Sequence, residues 1–484
     1  MLATEDVKRN RTIGFVWIAT VFTISLFACA PVSETEPPNL LLITVDTLRA
    51  DRLAAYGGSL QLTPNLDRLA GESVVFTAAF APVPYTVPSV CSIHTGRYPD
   101  EIGMVYNHSA LSRDVPTLAA QLRVSGWSTG AVVSNYVLQE QSGLDNGFDR
   151  YDARFPQLEA RRGTPERIGP ATTNDALDMI DQWQHSDEAR PFFLWVHYQD
   201  PHGPYTPPES LRQRYLPHEL ARPDGQRMLE VHDWPGGLPK YQFINRKRQV
   251  AYYRAGYNGE VRYMDEAVGH LLAGLRERGL TERTIVVFAA DHGESLGEDD
   301  YWFAHGAFLS DALIRVPLFI RAPGREPGSR DDIVSLVDLH ATILAIMGAP
   351  AQPTSFSRDL FAVDGDQSGV AYFRNDPQSA VRRFGMAAGG VKYLATHASD
   401  GLQEKVTRLA TGSPAELGAQ LTQGMAEQLL AMQNHLAQGV PETPQDLTDE
   451  DRRRFGAIGY ATGPLDEKDS QDPAGAEGQS SGSD

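Results

Sequence analysis

Cysteine is scarce in this 484-residue chain, which contains only Cys29 and Cys91. Two cysteines cannot build the disulfide framework that stabilises many small secreted domains. Positive charge is also limited, because 43 Lys and Arg residues face 62 Asp and Glu residues and leave a formal net charge of −19. This balance disfavours a nucleic-acid backbone, so we expect no nucleic-acid partner. An anionic substrate would need a local source of positive charge, which a metal ion and histidines could supply.

Long apolar runs are confined to one stretch, residues 13–28, which follows three basic residues near the N-terminus. The run has the form of a secretory signal and is short for a membrane span. The segment Leu26-Phe27-Ala28-Cys29 resembles a bacterial lipobox, so we expect residues 1–28 to be a lipoprotein signal peptide and Cys29 to be lipidated. An uncleaved anchor helix is the alternative. In both cases we expect an extracytoplasmic protein attached to a membrane of the bacterial cell envelope.

The rest of the chain divides by composition. Residues 29–38 are rich in Pro, Glu, Ser and Thr and are predicted to be a tether. Residues 39–352 alternate strand-like and helix-like segments, which predicts an α/β catalytic domain with a doubly wound, mainly parallel sheet. Helices should begin near Thr63 and near Asp114. Shorter alternating runs over residues 353–462 predict a smaller α+β subdomain, and the acidic, Gly/Ser-rich residues 463–484 are predicted to be a disordered tail.

Candidate metal ligands stand at the ends of two apolar runs. The run NLLLITV is followed by Asp46, and the run TIVVFAA is followed by Asp291 and His292. Open α/β sheets bind ligands at the carboxyl ends of their strands, so these three side chains could converge from distant parts of the chain. A turn-forming role is the alternative for Asp46.

Thr86 is the candidate nucleophile. It stands two residues before Pro88, an imino acid suited to the first turn of a helix, so its hydroxyl would lie at a helix N-terminus. Exposed N–H groups and the helix dipole favour an anion there. A metal ion that lowers the pKa of the hydroxyl would make it nucleophilic. An ordinary helix cap is the alternative reading of this residue.

Several motifs in this order resemble the sulfatase branch of the alkaline-phosphatase superfamily, over about residues 38–460. They are VDTLRADRLAAYG, TPNLDRLA, the pattern P-S-x-x-S-x-x-T-G-x-Y-P, DPHGPYTPP, DHGESLGE followed by AHG, and RVPLFIRAPG. The resemblance implies an alkaline-phosphatase-like fold with a smaller C-terminal subdomain. It also implies an ester hydrolase with a metal at its active site.

The chain departs from that family at its nucleophile. Sulfatases carry a Cys or Ser that becomes formylglycine where this chain has Thr86, and Val90 replaces the Arg of the same motif. Thr47 stands where the family has a second metal-binding Asp. The resemblance therefore implies one divalent metal held by Asp46, Thr86, Asp291 and His292, with Zn²⁺ or Mn²⁺ favoured over Ca²⁺.

The resemblance also implies roles for two histidines in loops. His305 falls where sulfatases place an anion-binding Lys, and His202 falls where they place an active-site His, so both are candidate catalytic residues. With Asp200 they could instead hold a second metal. Asn135 is a candidate substrate-binding residue, although Asn in a loop is usually a turn former.

We therefore expect a metallohydrolase that cleaves a sulfate or phosphate ester, with phosphodiesters and phosphonates favoured by Thr86. The resemblance keeps a phosphoglycerol or phosphoethanolamine transferase as an alternative. An inactive surface lipoprotein that binds anions is the alternative from another class.

Overall fold

The computed structural model describes residues 37–158, 165–186, 190–233, 236–362, 369–375, 377, 379, 381–398, 401–409, 413, 419–443, 445 and 447–457. The predicted signal peptide, the lipidation site at Cys29 and the predicted tail lie outside the described residues. None of the helices formed by the described residues is both long enough and apolar enough to cross a membrane.

Seventeen strands are found in the described part of the chain. They are β1 (Asn39–Val45), β2 (Val74–Phe80), β3 (Ser128–Val133), β4 (Arg150–Asp152), β5 (Gln157–Leu158), β6 (Pro165–Glu166), β7 (Phe192–Tyr198), β8 (Thr284–Ala290), β9 (Ser295–Leu296), β10 (Trp302–Ala304), β11 (Arg315–Val316), β12 (Leu318–Arg321), β13 (Gly328–Ser335), β14 (Ala371–Arg374), β15 (Arg382–Ala388), β16 (Val391–Ala398) and β17 (Gly401–Arg408).

Ten α-helices accompany these strands over the same described ranges. They are α1 (Pro64–Gly71), α2 (Thr86–Thr95), α3 (Leu118–Val124), α4 (Gly169–Gln184), α5 (Glu209–Leu220), α6 (Val250–Glu277), α7 (Asp311–Ile314), α8 (Asp338–Met347), α9 (Ala419–Leu436) and α10 (Asp449–Ala457).

The main sheet has nine strands and confirms the predicted doubly wound α/β class. Its order is β11-β2-β12-β8-β1-β7-β3-β4, with β13 paired to β2. The pairs β8-β1, β1-β7, β7-β3 and β3-β4 are parallel, whereas β12 runs antiparallel to both of its neighbours. Every residue of β1, β7 and β8 is buried, because helices cover both faces of a parallel sheet. The central strands therefore end together at one edge.

The two predicted helix starts had different outcomes. Helix α1 begins at Pro64, directly after Thr63, as expected. The start predicted at Asp114 was wrong, because α3 begins at Leu118 and Thr117 caps it by accepting a hydrogen bond from the Ala120 N–H at 3.1 Å.

Helix α2 carries Thr86 and is buried over its whole length. It ends at Gly96, which has φ 67° and donates its N–H to the Ser92 carbonyl at 3.0 Å. A Cβ at Gly96 would lie 2.9 Å from His340 Nδ1, so both the conformation and the close approach require glycine. Tight packing at this end holds the helix in position beneath the sheet edge.

Beyond residue 353 the chain builds a four-stranded antiparallel sheet in the order β14-β15-β16-β17. Helix α9 packs on it through a cluster of buried side chains, including Met425, Leu429, Tyr372 and Tyr393. This sheet belongs to the same compact unit as the main sheet, from Pro37 onward. The boundary at 352/353 stays a prediction.

Candidate active site

The site begins where three adjacent strands end. β1 pairs in register with β8 and β7, so that Val45 lies beside both Ala290 and Tyr198. The backbone ladder continues one residue further: Asp46 donates its N–H to the Tyr198 carbonyl at 2.9 Å, and Asp291 donates to the Val45 carbonyl at 3.1 Å. Main-chain hydrogen bonds therefore fix the backbone positions of both residues.

Asp46, Asp291 and His292 form a fully buried group, which we call the metal cluster. One ligand atom from each lies within 4.8 Å of the others. His292 Nε2 is 3.5 Å from Asp46 Oδ1 and 3.8 Å from Asp291 Oδ2. Two carboxylates and an imidazole at this spacing are a donor set suited to a borderline divalent cation such as Zn²⁺ or Mn²⁺.

The hydrogen bonds of the metal cluster leave donor atoms available for a cation. Asp291 Oδ1 accepts the N–H groups of Thr47 and His292, whereas its Oδ2 is buried with no hydrogen-bond partner among the described residues. His292 Nδ1 lies 2.9 Å from the Gly293 carbonyl, so it must be protonated there and the lone pair falls on Nε2.

The pKa shifts within the metal cluster also indicate a cation site. Burial, and then the charge of Asp46, raise the pKa of Asp291 well above its ordinary value. Burial, with a smaller contribution from His305, lowers the pKa of His292 to about 3, which keeps its imidazole neutral. A divalent cation would offset the repulsion between the two carboxylates, so these residues fit a metal.

Thr86 is the first residue of α2 and lies against the metal cluster. Its Oγ1 is 3.4 Å from Asp46 Oδ2 and 3.4 Å from His292 Nε2. Two hydrogen bonds place the start of the helix: Ser89 Oγ donates to the Asp291 carbonyl at 2.7 Å, and the Val87 N–H donates to Asn107 Oδ1 at 2.8 Å. The predicted nucleophile and the predicted metal ligands are thus brought together.

Asn135 also reaches the metal cluster. It follows β3 and donates from Nδ2 to Asp46 Oδ2 at 2.5 Å, while its Oδ1 accepts the Val137 N–H at 3.1 Å. Its contact with a metal ligand gives it a second possible role, holding the Asp46 carboxylate in place. Substrate binding by Asn135 stays a prediction.

His202 and His305, which we call the loop histidines, lie beside the metal cluster. The His305 ring centroid is 4.6 Å from that of His292 and 5.1 Å from that of His202. His202 Nδ1 lies 2.7 Å from the Gly203 carbonyl, and burial lowers the pKa of His202 below its ordinary value. Three imidazoles therefore meet at one side of the site.

Asp200 does not join the metal cluster. Its Oδ2 accepts the Gly169 N–H at the start of α4, at 3.0 Å, and burial raises its pKa to about 7. The metal-binding group found among the described residues contains Asp46, Asp291 and His292 only. A second metal held by Asp200 and the loop histidines stays a prediction.

Three residues near the site were not singled out as functional from the sequence. Glu294 accepts from His305 Nδ1 at 3.2 Å and from the Tyr205 hydroxyl at 3.0 Å. His197 Nε2 is 3.9 Å from Asp46 Oδ2, and Asn107 caps α2 at Val87. For His197 the sequence did contain an indication of function. It is a titratable residue inside the apolar run FFLWVHY, where burying a polar group costs free energy unless the group has a partner or a functional role.

Comparison with known proteins adds a family and a fold. One family model, described as Sulfatase, matches residues 38–349. The iduronate 2-sulfatase of Mus musculus is 27% identical over 419 residues, which cover 71% of this chain and 75% of that protein.

Among solved structures, the chain is similar to one described as a complex with its substrate D-glucosamine-2-N,6-O-disulfate, with a TM-score of 0.66, 19% identity and coverage of 84% of this chain and 99% of that chain. It is also similar to a phosphonate monoester hydrolase from Silicibacter pomeroyi, with a TM-score of 0.64, 20% identity and coverage of 83% and 96%. These likenesses confirm the predicted alkaline-phosphatase-like fold.

Proposed function

Because this chain belongs to the sulfatase family of ester hydrolases, we propose that it cleaves a phosphodiester or a phosphonate monoester with Thr86 as the nucleophile. The position of Thr86 Oγ1, 3.4 Å from both Asp46 Oδ2 and His292 Nε2, carries the proposal. Threonine cannot be oxidised to the formylglycine aldehyde, because its Cβ bears a methyl group. Its hydroxyl must therefore act directly. The phosphonate monoester hydrolase with a similar fold supports this substrate class.

Asp46, Asp291 and His292 would hold one divalent cation, with Thr86 Oγ1 as a further ligand. When bound, the cation would lower the pKa of the Thr86 hydroxyl and stabilise negative charge on the ester. Asp291 Oδ2, which has no hydrogen-bond partner among the described residues, supports this assignment. The donor set favours Zn²⁺ or Mn²⁺ over Ca²⁺.

The side chains then divide the chemistry between them. The Thr86 hydroxyl gives its proton to His202, and Thr86 Oγ1 forms a bond to the phosphorus while the bond from phosphorus to the leaving oxygen breaks, which leaves a covalent threonyl ester. His202 donates a proton to the leaving oxygen, and His305, held by Glu294, stabilises charge on the non-bridging oxygens. Water then attacks the phosphorus and releases the group from Thr86.

The test compares wild type with Thr86→Ala and Thr86→Ser, each assayed on an aryl phosphodiester, a phosphonate monoester and a sulfate monoester with added Mn²⁺ or Zn²⁺. We expect Thr86→Ala to lose turnover of the phosphorus esters and Thr86→Ser, which keeps a hydroxyl, to retain it in part. Metal content per chain is measured in parallel. Turnover surviving in Thr86→Ala would show that another group is the nucleophile.

We also propose that the protein is exported and held on a bacterial membrane through Cys29. The support is the lipobox-like segment in the sequence. Fractionation of cells that express wild type or Cys29→Ser tests this, since the variant should leave the membrane fraction if lipidation is the anchor.

A further inference from the structure

Residues 245–248 form a turn with the sequence Asn-Arg-Lys-Arg, which we call the basic turn; residues 245–247 are exposed and Arg248 is half-buried. Asn245 and Arg246 adopt positive φ angles of 57° and 55°. The start of α6 holds this conformation: Asn245 Nδ2 donates to the Tyr252 hydroxyl at 2.9 Å, and the Tyr253 hydroxyl donates to the Lys247 carbonyl at 2.9 Å. The turn is therefore a preformed feature of the surface.

The charges of the basic turn are not neutralised by carboxylates. Within the described ranges, Arg246, Lys247 and Arg248 form no ion pair, whereas the nearby Lys240 lies 3.6 Å from Asp233. The whole chain has a formal charge of −19, so these cations form a local cluster of positive charge on an acidic protein. At physiological ionic strength charges are screened beyond about 8 Å, so a ligand at the turn would feel the local cations more than the net charge.

Exposed apolar side chains flank these cations. Phe243 is 38% exposed and Met228 is 61% exposed. Met228 lies beside the turn, because it forms a β-bridge with Gln249 and the following N–H, of Leu229, donates to the Arg248 carbonyl at 2.9 Å. We call Met228, Phe243, Arg246, Lys247 and Arg248 together the docking patch.

The docking patch is close to the active site. The Tyr241 ring centroid is 6.4 Å from that of His202, and the hydroxyl of Tyr241 donates to the Phe303 carbonyl at 3.1 Å. Arg246 is five positions along the chain from Tyr241, a span of at most about 18 Å even if fully extended. A surface that bound the patch would therefore lie near the loop histidines.

We propose that the docking patch binds the surface of a membrane rich in anionic phospholipid. Clustered Lys and Arg attract anionic headgroups, and neighbouring apolar side chains enter the boundary between headgroups and acyl chains. A soluble polyanion would use the cations but would gain little from an exposed Met and Phe. Docking would bring the active site close to the membrane and to esters held at its surface.

The test measures sedimentation of the full chain with vesicles of phosphatidylcholine alone and with vesicles containing phosphatidylglycerol. Any anchoring by the N-terminal region that does not depend on charge contributes equally to the two partition coefficients. It therefore cancels in their ratio. We expect wild type to prefer the anionic vesicles and Arg246→Gln/Lys247→Gln to reduce that preference about 30-fold, from about 1 kcal/mol per cation. Phe243→Ser/Met228→Ser should weaken binding to both kinds of vesicle.

Arg123→Gln/Val124→Ser is the matched control, since it removes an exposed cation and an apolar side chain that is 86% exposed, just before β3 and far from that strand's carboxyl end. It should bind like wild type.

An unchanged preference in Arg246→Gln/Lys247→Gln would overturn the proposal. So would loss of binding to dextran sulfate with vesicle binding intact, which would assign the turn to soluble polyanions. Hydrolysis of a small soluble ester and the thermal unfolding midpoint should stay at wild-type values in all variants, which separates this test from the proposed catalytic function.

Discussion

The two halves of the candidate active site are held in different ways. The metal cluster sits one or two residues beyond β1 and β8, where ladder hydrogen bonds between neighbouring strands place both carboxylates. The loop histidines lie on loops after β7 and β10, and His305 is held through Glu294 and Tyr205. The comparison teaches that strand pairing fixes the backbone of Asp46 and Asp291, whereas His305 depends on a hydrogen bond to the side chain of Glu294.

The largest effect should follow a change inside the metal cluster. Asp291→Asn keeps the shape but removes the negative charge, so we expect bound metal to be lost and turnover to fall about 1,000-fold or more. Metal analysis and steady-state kinetics check this. Asp51→Asn is the control, because the Asp51 side chain is 55% exposed and pairs with Arg49 outside the metal cluster. Full metal content in Asp291→Asn would contradict the assignment.

A smaller effect should follow a change at Glu294, which contacts one of the loop histidines. Glu294→Gln removes the carboxylate that orients His305, and we expect kcat to fall about 10- to 100-fold while metal content stays at the wild-type level. Measured together with Asp291→Asn, this variant separates the two halves of the site. If Glu294→Gln lost its metal, the halves would not be independent.

A third change, at a buried histidine in the helix that carries Thr86, tests how stability depends on pH. His94 lies in α2, 4.4 Å from Trp195 between ring centroids, and neither ring nitrogen has a hydrogen-bond partner among the described residues. Burial lowers the pKa of His94 to about 3. As the pH falls, the His94 imidazole is therefore protonated in the unfolded chain before it is protonated in the folded protein. The free energy of unfolding consequently decreases below about pH 6.5.

We expect the wild type to lose about 1 kcal/mol more of its unfolding free energy than His94→Leu between pH 6.5 and pH 5.5. Denaturant unfolding at the two pH values measures this difference. Equal losses in both proteins would mean that His94 is protonated in the folded state.

The smallest effect concerns the cap of α2. Asn107→Ala removes the acceptor for the Val87 N–H, and we expect the unfolding free energy to fall by about 1 kcal/mol. Asn107→Asp restores an acceptor and should recover most of that loss. If Asp fails to rescue, the Asn107 side chain acts through a different contact.

The sequence was informative where the same residues mark both the end of a strand and a candidate metal ligand. Asp46 and Asp291 each end an apolar run, and a parallel sheet brings such ends together, so the metal cluster could be predicted. The helix start predicted at Asp114 was wrong because two competing caps stand close together and Thr117 makes the hydrogen bond. Glu294 was overlooked because its role depends on contacts with His305, on another loop, and with Tyr205, which is distant in sequence.

By itself the sequence determined the α/β class, the edge of the sheet where the site lies and the residue types that meet there, because buried strands and their terminal polar residues follow from hydrophobic patterning. The tertiary structure decided which side chains contact one another: Asn135 with Asp46, Glu294 with His305, and Asn107 with the start of α2. Such contacts depend on loop paths and rotamers, which no short-range pattern encodes.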